Sequence, residues 1–284
     1  KPLYAALALT LTYMTAEIVG GIWTGSLALI ADAAHMATDA GGLGLALFAI
    51  HFAQKAATPQ KTYGYLRTEI LAALVNAVVL LLLTVYILYE AYQRFRSPPE
   101  ILGGPMLAVA AVGLVVNLLS MKLLSVGSSE SLNVQGAYFE VLSDMLGSLG
   151  VIAAALIIMY TGWTLADPII GAGIGLFIVP RTWKLLSQAV HILMEGVPTE
   201  IDLPELEKTL LRIPGVVAAH DLHVWTITSG TDSFTGHVVV SDMKYAAAVL
   251  KGVKAILEEK FKIDHVTIQV ENEEIRMAEP TLRV

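Results

Sequence analysis

The chain contains no cysteine. That excludes a disulfide framework, a cysteine zinc finger, an iron–sulfur cluster and a thiol nucleophile. Charge is scarce too. Charged residues make up 15% of the chain, against about a quarter in a soluble globular protein. So little charge cannot cover a water-facing surface, which argues against a disordered, coiled-coil or ordinary cytosolic protein. Basic residues number 18 against 25 acidic ones, for a net charge of −7, which argues against a nucleic-acid binder. There is no His-Glu-x-x-His string, so a zinc protease lacks its motif. Leu3 to Trp23 is too long, and lacks the cleavage pattern, for a signal peptide. The chain starts at Lys1 rather than Met, as expected of a chain that has lost N-terminal residues.

What the 284 residues do have is apolar sequence: 55% hydrophobic, with a mean hydropathy of +0.66. It is unevenly spread. Residues 196–284 hold 9 basic and 14 acidic residues, more than half the total charge in under a third of the length. Before Gly196 the chain runs in long apolar stretches. A spanning helix needs roughly 20 mostly apolar residues. Six segments fit, at 3–23, 27–52, 70–92, 105–124, 134–160 and 166–187. Turn residues separate them, including Thr24-Gly25, Pro98-Pro99, Gly103-Gly104-Pro105 and Asp167-Pro168. Pro168 suits a first helical turn, with Asp167 as its cap. Lys1, Lys55, Lys61, Arg67, Lys122, Arg181 and Lys184 fall on one side of the bilayer, and Arg94 and Arg96 on the other. This asymmetry places both termini in the cytoplasm.

The last third has a different rhythm. Leu203–Leu211 is an amphipathic helix opened by Asp202 and Pro204. Strands follow at Val216–Thr228 and Ser233–Ser241, with Ser229-Gly230 as the turn. A helix over Tyr245–Phe261 and a strand over His265–Glu271 complete an αββαβ order, a small two-layer α+β domain. The expected organisation is a membrane domain over 1–195, a cytoplasmic domain over 196–273 and a tail over 274–284.

Ionisable groups inside the hydrocarbon cost a few kcal/mol each on insertion scales, so each is a functional hypothesis. The spans contain Glu17, Asp32, His35, Asp39, Glu140 and Asp144. His35 and Asp39 are four apart and so share a helix face, about 6 Å apart along the axis. Glu140 and Asp144 repeat the spacing. Helices two and five run in opposite directions, which sets Asp39 level with Glu140 and His35 level with Asp144. One imidazole and three carboxylates then form a four-ligand cage suited to a borderline divalent ion such as Zn²⁺. Helix–helix hydrogen bonding is the plainer alternative, and two matched pairs weigh against it. His35 is the best proton carrier of the set, because an imidazole changes charge near neutral pH. Asp32 shares the face of His35 and reads as interfacial near the helix start, with a supporting or entry group for the cage as the alternative, and Glu17, which could pair within the bundle, is given no role. In the tail, His220 and His237 lie on neighbouring strands and Glu271 closes the third. His223, three residues after His220, faces the other way unless a bulge intervenes.

These residues and strings resemble the cation diffusion facilitator family. They include Gly25-Ser26-Leu27-Ala28-Leu29-Ile30-Ala31-Asp32-Ala33-Ala34-His35 before Asp39, Lys61-Thr62-Tyr63-Gly64-Tyr65-Leu66-Arg67, Asn133-Val134-Gln135-Gly136 before Asp144, Leu193-Met194-Glu195-Gly196, and His220-Asp221-Leu222-His223-Val224-Trp225. The resemblance implies a homodimer of six-transmembrane-helix subunits, each with a ferredoxin-like cytoplasmic domain, in a bacterial inner (plasma) membrane. It implies a secondary active transporter, not an enzyme, that exports zinc, with cadmium and cobalt, in exchange for protons. It makes His35, Asp39, Glu140 and Asp144 transport-site ligands, with Glu140 standing where many members have His. It assigns His220, His237 and Glu271 to a cytoplasmic metal site, with Asp264 or His265 less securely placed. The loop over 58–67 lacks His and Asp, so no further metal site is expected there. No cofactor is expected beyond the transported or bound metal. A proton-independent channel or uniporter is the alternative.

Overall fold

The computed structural model describes residues 2–125 and 132–278. Six long helices come first: α1 (Pro2–Thr24), α2 (Leu27–Ala53), α3 (Thr68–Arg96), α4 (Gly103–Ser125), α5 (Leu132–Thr161) and α6 (Ala166–Leu193). They coincide with the six expected spans. By length and composition α2 to α6 can each cross a membrane. Large apolar side chains on these helices point outward, among them Ile22, Leu47, Leu82, Phe177 and Trp183. A water-soluble bundle would bury such a surface. Small residues pack the interior, where Ala28 and Leu29 of α2 meet Met106 and Ala110 of α4 and Val151, Ala154 and Ala155 of α5.

After α6 come α7 (Leu203–Leu210), β1 (Val216–Thr228), β2 (Thr231–Val240), a 3-10 turn, α8 (Ala246–Phe261), β3 (His265–Glu271) and α9 (Glu273–Ala278). Asp202 caps α7 by accepting from the Glu205 amide at 3.3 Å. β1 and β2 form the expected hairpin, closed at Ser229-Gly230, with Gly230 at φ +73°. β2 pairs in parallel with β3, which requires a crossover, and α8 supplies it. The sheet order is β1-β2-β3. Leu206 and Leu210 of α7 and Val249, Val253 and Leu257 of α8 cover one sheet face against Val224, Phe234 and Val238. α9 starts at the last residue of the expected cytoplasmic domain and runs into the expected tail. Its six residues have no buried side chain, so no apolar period marks them.

The chain divides into two compact units. One comprises residues 1–48 and 72–186, the other 49–71 and 187–284. The second therefore joins the α/β part to the α2–α3 connection. There Glu69, in the first turn of α3, accepts hydrogen bonds from Thr228 Oγ1 at 2.6 Å and Ser229 Oγ at 2.8 Å, at the hairpin tip. Arg67 pairs with Glu195 at 3.0 Å, and Tyr63 packs edge-on against His265.

Candidate metal centres

Within the first unit, α2 carries His35 and Asp39 on one face. His35 Nε2 lies 3.5 Å from Asp39 Oδ2. His35 is 8% exposed and Asp144, on α5, 4%. The approach of α2 to α5 is fixed by Asp32 and Gly147: a Cβ at Gly147 would stand 2.5 Å from Asp32 Oδ1. The helices run oppositely, so three residues onward from Asp32 is His35, and three residues back from Gly147 is Asp144. Glu140 lies one helical turn before Asp144 on α5, and its side chain is outside the described residues. Asp32, read from sequence as interfacial, is buried inside the bundle at 2% exposure.

The N-terminus of α2 is held by a group the sequence reading used differently. Asp167 sits inside α6, and its carboxylate caps α2. It accepts from Ser26 Oγ at 2.5 Å, Leu27 N at 2.7 Å and Ala28 N at 3.1 Å. Arg94 reaches it at 3.4 Å and pairs with Glu90 at 3.0 Å. Arg94, one of the two residues on the minority side of the charge distribution, is thus balanced by two carboxylates.

In the second unit, His220, His237 and Glu271 each bring a ligand atom within 4.8 Å of the others. His220 on β1 and His237 on β2 are register partners, and Glu271 ends β3 beside them. Glu271 is fully buried. Its Oε1 lies 2.5 Å from His220 Nε2 and its Oε2 3.7 Å from His237 Nδ1. Two imidazoles and one carboxylate fit a tetrahedral zinc with one position left over. A fully buried carboxylate needs a cation or donors; Glu271 Oε2 accepts from Gln269 Nε2 at 3.3 Å, and the two imidazole rings lie 5.1 Å apart. The donor chemistry fits a metal ion.

β1 does bulge between His220 and His223, with Asp221 at φ +52°. The bulge does not bring His223 into the cluster. His223 instead pairs with Asp221 at 3.1 Å on the exposed side. It brings in Asp221, whose Oδ2 lies 3.9 Å from His237 Nε2. The sequence reading missed Asp221, because alternation in a regular strand points it away from His220. His265 lies outside the cluster, against Tyr63.

Residues 3–194 match the cation efflux transmembrane domain, and residues 198–273 match the cation efflux protein cytoplasmic domain. The chain is 53% identical over 272 residues to the metal cation efflux system protein CzcD of Cupriavidus metallidurans, covering 95% of this chain and 86% of that protein. It is 44% identical to the zinc transporter ZitB of Escherichia coli, covering 95% and 87%. It is 42% identical to the cadmium, cobalt and zinc/H(+)-K(+) antiporter of Bacillus subtilis, covering 92% and 85%. A solved structure of the metal-bound C-terminal domain of the CzcD transporter of Cupriavidus metallidurans is 49% identical over 25% of this chain and 99% of its own, with a TM-score of 0.24. With a family match along both the helical part and the α/β part, the chain belongs to the cation efflux family and is a membrane transporter, not an enzyme.

Proposed function

We propose that this chain exports zinc, and also cadmium and cobalt, from the cytoplasm in exchange for protons. The observation that carries this reading is the set of His35, Asp39 and Asp144 inside an apolar helix bundle. Lipid disfavours such groups unless they serve a cation. Relatives named for zinc, cadmium and cobalt support the metal class. With Glu140 the site offers one nitrogen and three carboxylates, an oxygen-rich set that discriminates among divalent ions less than nitrogen or sulfur does. Ligands shed protons as metal binds, so occupancy depends on pH. Rocking of the bundle then exposes the site to the other side. External protons displace the metal and reset the carrier.

The protein works as a homodimer in the bacterial inner membrane, with both termini cytoplasmic. The clustering of two imidazoles with a buried carboxylate supports metal binding at His220, His237 and Glu271. Metal there senses the cytoplasmic concentration and tightens the dimer. The membrane domain is assigned to 1–195 and the cytoplasmic domain to 196–273.

Flux in proteoliposomes under an imposed pH gradient tests the transport reading. Zn²⁺, Cd²⁺ and Co²⁺ flux that reverses with the gradient is the expected result. Flux indifferent to the gradient means a channel or uniporter. The cytoplasmic site is tested in full-length protein carrying Asp39→Ala, so that the transport site is weakened. There, His237→Ala lowers zinc affinity at least roughly tenfold. Unchanged titration curves reject the site.

A further inference from the structure

β1 is not a regular strand where it meets the metal cluster. Its pairing with β2 shifts register between His220 and His223, and Asp221 takes φ +52° there. This left-handed conformation is uncommon for a residue with a side chain, and asparagine and aspartate tolerate it best. Strain of this kind collects at binding sites. Here it decides where one carboxylate goes. In a regular strand Asp221 would face away from its neighbour His220 and from His237, the register partner of His220. With the bulge, Asp221 Oδ2 lies 3.9 Å from His237 Nε2.

The two ring nitrogens of His237 face different groups. Nδ1 lies 3.7 Å from Glu271 Oε2, and Glu271 Oε1 meets His220 Nε2 at 2.5 Å. Nδ1 is thus on the side of the other two ligands, and Nε2 is on the side of Asp221. An ion held by His220, Glu271 and His237 takes the lone pair of Nδ1. The proton of the neutral ring then sits on Nε2, the nitrogen that faces Asp221. A metal-ligating histidine almost always gives its second N–H to an acceptor, which fixes the tautomer and the ring orientation. At 3.9 Å the contact is an ion-pair distance rather than a hydrogen bond. Asp221 has 47% side-chain exposure, so a turn of its carboxylate is free to close the gap.

Asp221 is itself held on its other side. Its Oδ1 lies 3.1 Å from His223 Nε2. The bulge therefore sets up a row: His223, Asp221, His237, and then the cluster with Glu271. Direct ligation by Asp221 is the competing arrangement. The two nitrogens of an imidazole point in diverging directions, so an ion on Nδ1 is turned away from Asp221.

We propose that Asp221 is a positioning residue of the cytoplasmic metal site: it accepts the Nε2 proton of His237 and so holds the ring with Nδ1 turned to the ion. This rests on the reading of His220, His237 and Glu271 as metal ligands and adds the group that orients one of them. It also gives the bulge in β1 a purpose, because the regular strand would leave His237 without this partner.

The test titrates zinc into detergent-solubilised, full-length protein carrying Asp39→Ala, so that the transport site is weakened. Asp221→Gly removes the carboxylate without straining the bulge, since glycine takes positive φ freely. It is expected to lower zinc affinity roughly tenfold, the small end of the range for such a partner because Asp221 is half exposed. Asp221→Asn keeps an acceptor oxygen and tolerates the same backbone. Its affinity should stay within about threefold of the parent, the scale of one modest hydrogen bond. Cobalt absorption separates positioning from ligation. The cobalt band that His237→Ala removes should keep its shape in Asp221→Gly and need only more cobalt to appear. Unchanged zinc affinity in Asp221→Gly overturns the proposal. Asp221→Asn as weak as Asp221→Gly overturns it too, since the acceptor oxygen would then count for nothing. A cobalt band of altered shape in Asp221→Gly does the same by making Asp221 a direct ligand. A His237→Ala titration identical to the parent rejects the metal site itself, which is a separate failure.

Discussion

Asp39→Ala is expected to lower zinc flux roughly a hundredfold or more in proteoliposomes, while the protein still folds and inserts. Asp39 lies one turn from His35, with the two side chains 3.5 Å apart. The carboxylate does two things there. It offers an anionic oxygen to the cation, and it orients the imidazole through the contact at Nε2. Losing it takes one negative charge of three from the four-ligand set and frees the His35 ring to rotate. Asp39 is part-exposed, with 28% side-chain exposure, so truncation opens no large cavity. Little loss of thermal stability should accompany the loss of flux. Proton-driven zinc uptake by Asp39→Ala at close to the wild-type rate would remove the cage from the mechanism. Asp39→Asn separates the two roles. It keeps an oxygen near His35 without the charge, so flux intermediate between wild type and Asp39→Ala would apportion the effect between charge and geometry.

Much of this was legible from periodicity and cost. Six uninterrupted apolar runs name six helices, because the bilayer sets their length and allows few alternatives. The αββαβ order reads from alternation and from the Ser229-Gly230 turn. The i, i+4 pair on α2 reads for the same reason: a charge in lipid needs a purpose. What could not be read depends on which helices touch. Glu17 is one acid in an apolar run, and nothing there announces that it is fully buried and accepts a hydrogen bond from the Tyr13 hydroxyl. Asp167 stands before Pro168 as a local helix cap would, and only tertiary structure turns its carboxylate toward Ser26, Leu27 and Ala28 of another helix. Asp221 was hidden for a similar reason. A regular strand points it away from His220 and His237, and the bulge that turns it toward His237 is set by pairing with β2, not by the residues of β1 alone.

Asp167→Ala is expected to cost about 3–5 kcal/mol of stability, the range for removing one partner of a buried ion pair. The size follows from what the carboxylate holds. It is completely buried. The Leu27 and Ala28 amides are two of the orphan donors at the start of α2, which no carbonyl within the helix can reach. The Ser26 hydroxyl is a third donor. Arg94, with 13% side-chain exposure, would keep Glu90 and the Gly25 carbonyl but lose its second carboxylate. Alanine thus strands three donors and part of a guanidinium at once. Thermal unfolding of purified protein in detergent measures the loss as a lower melting temperature. Asp167→Asn keeps an acceptor oxygen for the amides and loses only the charge, so its melting temperature should fall between the two. Function should follow structure here, because the helix that Asp167 caps is the one that carries His35 and Asp39. A frayed α2 start lets both drift from Asp144, so metal affinity falls although no ligand has been changed. A melting temperature within about 2 °C of wild type in Asp167→Ala would correspond to roughly 1 kcal/mol or less, short of the expected loss, and would show that water replaces the carboxylate at the head of α2.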